Sequence, residues 1–164
     1  LTNETQEVQL YGLNGDDEFY ISGDVDDSIV IRLIGGHNHD VYEDSSTVSG
    51  WSKKTKVYDY LSKKNTVKGG SELADLREDN YFKNTYNHRD IENNTTLIFP
   101  SLGFNPDDGF FFGVNATHTR YGFKKRPFDN RHNLTANFYA ATTGFAIDYT
   151  GEFAEFIGDC MYKP

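Results

Sequence analysis

Alternation of apolar and polar residues is the strongest signal in the last third of the chain. In FFFGVNATHTRYGF (residues 110–123), Phe110, Phe112, Val114 and Ala116 fall on one side, and Gly113, Asn115, Thr117 and Thr119 on the other. HNLTANFYAA (132–141) sets Leu134, Ala136, Phe138 and Ala140 against Asn133, Thr135, Asn137 and Tyr139. TGFAIDYTGEF (143–153) sets Phe145, Ile147, Tyr149 and Phe153 against Gly144, Ala146, Asp148, Thr150 and Glu152. Period two predicts strands. The basic stretch KKRPFDNR (124–131) and the reversal AATTG (140–144) separate them, so the pattern predicts an antiparallel meander of three strands, with a fourth expected from Ala154. Each segment reaches about ten residues, the length at which a tilted strand crosses a membrane. A soluble sheet with one buried face gives the same alternation. The polar side here is small and mostly neutral, which suits a barrel lumen better than a sheet facing bulk water.

The first part of the chain has a different rhythm. Short runs rich in β-formers (EVQLYG, EFYISG, SIVIRLIGG, TKVYDYL, NTVKGG) each end in glycine or a polar turn. Two of the turns match: Gly12-Leu13-Asn14-Gly15-Asp16-Asp17-Glu18-Phe19 and Gly35-Gly36-His37-Asn38-His39-Asp40-Val41-Tyr42. They agree at the first glycine, the sixth-position aspartate and the closing aromatic, at an offset of 35 − 12 = 23 residues. A strand-and-turn repeat of this length predicts stacked rungs of a small β-solenoid, with a small sandwich as the alternative. Three regions follow: a β module over 1–70, a connector over 71–94 with a short helix in SELADLREDNYF (71–82), and sheet strands over 95–164. The expected class is all-β.

Composition sharpens this in three ways. Aromatic residues make up 15% of the chain although hydrophobic residues total only 37%, a balance that suits sheet surfaces and aromatic girdles. The net charge of −9 argues against a nucleic-acid partner, which needs a basic face. A single cysteine, Cys160, excludes an internal disulfide framework. No apolar run is long enough for a transmembrane helix. The chain opens LTNETQEV without Met, as expected of a piece of a longer or processed protein.

Candidate chemistry centres on LIGGHNHDVY (33–42). His37 and His39 could belong to a metal-dependent phosphoesterase, but such a site needs several carboxylates and histidines around its metals. The other histidines, His88, His118 and His132, all lie far downstream. Alternatively, Asp17 and Asp40 could bind calcium in glycine-rich turns, helped by Asp16 and Asn14. The third reading has these Asp and Asn side chains capping their own turns. DVDD (24–27) reads as a solvated loop, and no Gly-x-Ser-x-Gly nucleophile turn occurs. No catalytic residue and no cofactor beyond calcium emerges.

Residues 100–153 resemble the opening strands of the surface-antigen, BamA-like family of outer-membrane barrels. Gly103, Pro106, Asp107 and Gly109 match a lead-in "G-[YF]-x-P-D-x-G"; Tyr121, Gly122, Phe123, Pro127 and Phe128 match a "YGF-x-x-x-P-[FY]" reversal; Tyr149, Gly151, Glu152 and Phe153 match "Y-x-G-E-F". Residues 11–19 and 34–42 are similar to a β module found between a calcineurin-like metallophosphoesterase domain and such a barrel in Gram-negative proteins, except that Asn38 stands where glycine is expected. The resemblance implies a role in assembly or transport of protein or lipid at the outer membrane, with the first module in the periplasm. It also implies outer-membrane lipid and other outer-membrane assembly proteins as partners, and an upstream phosphoesterase domain in the parent chain. The smallest closed membrane barrels need about eight strands, so three or four would be an incomplete wall.

Overall fold

The computed structural model describes residues 4–90, 92–157 and 160–162, with no side-chain description from 155 onward. Nearly all regular structure is β. The chain divides into two compact units, Leu1–His88 and Arg89–Pro164.

The first unit is a parallel β-solenoid. Its first rung is β1 (Glu7–Leu13), β2 (Glu18–Ile21) and β3 (Asp24–Val25); its second is β4 (Val30–Gly36), β5 (Val41–Asp44) and β6 (Thr47–Val48). A third follows with β7 (Thr55–Tyr58) and β8 (Thr66–Gly69), and β9 (Leu73–Asp75) opens a fourth. Like pairs with like: β1-β4-β7-β9, β2-β5-β8 and β3-β6 are all parallel stacks. The registers Glu7↔Val30, Glu18↔Val41 and Asp24↔Thr47 all carry the 23-residue offset of the glycine turns. The offset then drifts to 24 at Ile31↔Thr55 and 25 at Val41↔Thr66. Leu33, Tyr42, Val57 and Leu73 form the buried centre, with Phe19, Ile21, Ile31 and Val67 packed against them. Phe19 stacks flat on Tyr42 in register, 5.2 Å between centroids.

The helix expected over 71–82 is not there. Leu73 pairs in parallel with Thr55 and is buried in the solenoid core, so the segment extends the sheet. Spacing alone does not reveal this: Leu73 and Leu76 are three apart, which fits a helical face, but an open parallel edge rewards the extended conformation more. Arg77 then clamps Asp75 through two 2.8 Å hydrogen bonds. Among the described residues, helix appears only as the single turn α1 (Tyr81–Asn84), capped by Asn80, whose side chain accepts from the amides of Phe82 and Lys83.

The second unit is an antiparallel meander of five strands in sequence order: β10 (Thr95–Asn105), β11 (Gly109–Arg120), β12 (Asn130–Tyr139), β13 (Gly144–Ile157) and β14 (Cys160–Tyr162). The three alternating segments are β11, β12 and β13. The fourth strand does not start at Ala154, which lies within β13; the next strand begins at Cys160. A strand also precedes the alternating three. β10 lacks clean alternation (LIFP) and carries Pro100 at its centre, which an edge strand tolerates because one side needs no ladder donor. The lead-in residues Pro106 and Asp107 therefore sit in the β10–β11 turn, where Asn105 Oδ1 accepts from the Asp107 amide and Gly109 adopts φ +75°.

Candidate functional sites: an apolar sheet face and an acidic column

The meander's registers turn alternation into rows. Leu102, Phe112, Phe138 and Phe145 lie side by side across four strands; the next rows are Pro100, Val114, Ala136 and Ile147, then Ile98, Ala116, Leu134 and Tyr149. Phe104 and Phe110 close one end, edge-to-face at 5.1 Å. Within its own unit this face is uncovered: Leu102 is 80% exposed, Phe110 71%, Ile98 and Phe145 66%. Fully burying one such side chain is worth about 1.5–3 kcal/mol, so a continuous face of them exposed to water is a large penalty. Along the strands the apolar rows extend about 20 Å at roughly 3.4 Å per residue.

The opposite face is a network of short polar side chains. Ser101 donates to Asn137 at 2.6 Å, Thr117 to Asn133 at 2.9 Å and Thr135 to Asn115 at 2.7 Å. Gly113 lets this face pack closely: a Cβ there would lie 2.1 Å from the Ala136 carbonyl oxygen and 2.2 Å from Asn137 Oδ1. At one end of the sheet Arg131 spans to Thr119 and Glu152. Beyond it, Phe128 is buried in the β11–β12 loop under the Arg131 guanidinium, 4.2 Å from the ring centroid.

Against known proteins, the chain matches no family model, no curated protein and no solved structure. No helix among the described residues is long and apolar enough to cross a membrane, which says nothing about strands.

In the solenoid the repeated aspartates meet one above the other. Asp40 Oδ1 accepts from the Asp17 amide at 2.9 Å, and one rung on, Asn65 Oδ1 accepts from the Asp40 amide at 2.9 Å. Asp17, Asp40 and Asn65 thus form a side-chain-to-backbone column down one corner. Asp16 plays a parallel part, accepting from the His39 amide at 3.2 Å. The glycines that open each turn make room. A Cβ at Gly12 would lie 2.4 Å from Asp17 Oδ2, and one at Gly35 would lie 2.1 Å from Asp40 Oδ2 and 2.7 Å from Asp59 Oδ2. The register Ile34↔Tyr58 puts Asp59 in the third-rung place of that glycine column, where Tyr42 Oη donates to it at 2.8 Å.

Two carboxyls in one dry corner cannot both ionise cheaply. Burial, and then the neighbouring Asp59 and Asp17 charges working against the hydrogen bond from the Asp17 amide, push Asp40 up to about 6. Burial also raises Asp59, and burial together with Asp59 raises the Tyr42 hydroxyl far above its ordinary range. Asp40 is fully buried; its Oδ1 takes the Asp17 amide, while its Oδ2, like that of Asp17, is buried with no hydrogen-bond partner. Among the described residues no group of three or more His, Cys, Asp or Glu is placed to hold a metal ion.

His37 and His39 do not converge on a shared partner. The His37 ring stacks over Tyr60 at 5.3 Å and borders an open cavity of about 230 Å³ with Tyr11, Asn84 and Tyr86; His39 is exposed. Sequence reasoning missed Asp59 and Asn65. Asp59 lies 24 residues beyond Gly35 and Asn65 25 beyond Asp40, rather than 23, so a fixed period passes over them.

Proposed function

We propose that the second unit is part of the wall of an outer-membrane β-barrel of the surface-antigen type, serving assembly or transport of protein or lipid, and that the solenoid is its periplasmic module. The observation that carries this reading is the two-faced meander: rows of exposed apolar side chains on one side, and small hydrogen-bonded Asn, Thr and Ser on the other. Lipid removes the penalty on the first face, and a wet lumen suits the second. The apolar rows span about 20 Å along the strands, of the order of the outward-facing apolar band of membrane barrels, about 25 Å tall. Five strands leave two open edges, which hydrocarbon does not tolerate, so the reading requires the remaining wall to come from further strands.

The test is alternation seen by lipid. Trp51 is the chain's one tryptophan, so a Trp51→Phe background can carry a single new tryptophan at Val114 or at Asn115. With the wall completed by further strands kept free of tryptophan, fluorescence at 114 in vesicles of brominated lipid should be strongly quenched and at 115 spared. Equal, weak quenching at both would sink the membrane reading and favour a soluble sheet whose apolar face is covered by protein.

A further inference from the structure

We propose that the row ending the apolar face contains a two-histidine site for a divalent transition metal of the copper or zinc type, formed by His118 and His132. The two residues are direct register partners on adjacent strands and so share a face. Directly opposed residues have Cβ atoms about 4.5–5.5 Å apart, a span from which two imidazoles can reach one ion. Each ring is held from behind by a hydroxyl: His118 Nδ1 is 2.8 Å from Thr96 Oγ1, and His132 Nδ1 is 2.7 Å from Tyr149 Oη. Either hydroxyl can accept an Nδ1–H, and that tautomer leaves the Nε2 lone pair free for a metal. This is the arrangement by which outer partners orient metal-ligating histidines.

His132 is further fixed between Tyr149, 6.0 Å away and nearly parallel, and the edge-on ring of Phe153 at 5.5 Å. Arg120, two positions along the strand from His118, has Asp129 at 3.8 Å to offset its charge. Two protein nitrogens leave the remaining coordination positions to water. The site is therefore a weak, exchangeable one, compatible with the lack of any three-residue cluster among the described residues. Imidazole suits copper, nickel and zinc, and copper binds most tightly of the first-row divalent ions. The proposal needs only the sheet and does not depend on what covers its apolar face.

The experiment is a titration of the full chain with Cu²⁺ alone, in detergent, read by binding isotherm and by the nitrogen couplings in its electron paramagnetic resonance spectrum. One ion should bind with two equatorial imidazole nitrogens. His118→Gln and His132→Gln should each weaken it at least tenfold, with the double variant little worse than either, because a chelate is lost at the first cut. Thr96→Val and Tyr149→Phe should weaken binding two- to tenfold while both nitrogen couplings remain. Wild-type affinity in either single histidine variant, or loss of the signal in a His37→Gln/His39→Gln variant instead, would overturn the assignment. So would unchanged affinity in both hydroxyl variants. Far-ultraviolet circular dichroism of each variant separates a lost site from a lost sheet.

Discussion

The solenoid and the meander treat the same apolar side chains in opposite ways. Leu33 in the solenoid is 1% exposed, inside a core closed by successive rungs; Leu102 in the meander is 80% exposed on a face its own unit does not cover. One unit supplies its own interior. The other carries its apolar residues on one face, which its own unit leaves uncovered, and its polar network on the opposite face. The difference lies in pairing. Parallel rungs wrap around a shared centre, whereas a meander lays its strands out in a sheet.

The largest expected effect breaks this contrast directly. Leu33→Ala should cost about 2–5 kcal/mol of solenoid stability, because it cuts a cavity in a packed core. Leu102→Ala, for all its exposure, should change denaturant stability in water by less than about 0.5 kcal/mol. Urea unfolding of both variants decides it; comparable losses would mean that Leu102 is buried by something in solution. Next in size is the choice of face. With lipid present, Ile147→Lys should destabilise the meander by about 2–4 kcal/mol and Thr135→Lys by under about 1 kcal/mol, measured as folded fraction in vesicles. The reverse order would show that lipid meets the polar face rather than the apolar one.

How legible each unit was follows from the same contrast. The meander's inner strands could be read from period two because each row repeats on every strand. β10 could not, since Leu97 and Phe99 put apolar residues on the side that β11 fills with Thr117 and Asn115. The solenoid was announced by its 23-residue offset, and Asp17 and Asp40 stand in register as the repeat implies. What they do was not legible. A glycine-rich turn with an aspartate reads as a cation site or as a backbone cap, and the rung-to-rung hydrogen bonds from the Asp17 amide to Asp40 and from the Asp40 amide to Asn65 appear only in the fold. Asp59 was hidden because the third rung replaces glycine with the very carboxylate that crowds the corner.

That crowding yields a pH prediction peculiar to the solenoid. Asp40 titrates near 6 in the fold against an ordinary 3.8, so the folded chain holds a proton that the unfolded chain releases. Its contribution is most favourable below pH 3.8, falls as the pH rises through about 6, and is flat above. A rise of that size corresponds to up to about 3 kcal/mol. Asp40→Asn keeps the Oδ1 acceptor for the Asp17 amide and supplies a donor toward Asp59. It should therefore stabilise the solenoid at pH 7 and flatten its stability between pH 4 and 6. A variant less stable than wild type at pH 7 would mean that the ionised carboxylate has a favourable partner, and calcium would be the first to titrate.

The smallest effect sharpens the comparison to a single hydrogen bond on each side. Asn65→Ala removes the acceptor for the Asp40 amide, in a corner where that amide has no water to turn to, and should cost about 1–3 kcal/mol. Asn133→Ala removes the acceptor for the Thr117 hydroxyl on the meander's polar face, where both side chains are half-exposed. Water can replace that partner, so the loss should be about 0.5–1 kcal/mol. Paired chemical denaturation of the two variants measures the gap. If the Asn133 loss matches the Asn65 loss, the polar face is dry, and a water-filled lumen behind the strands is the wrong picture of it.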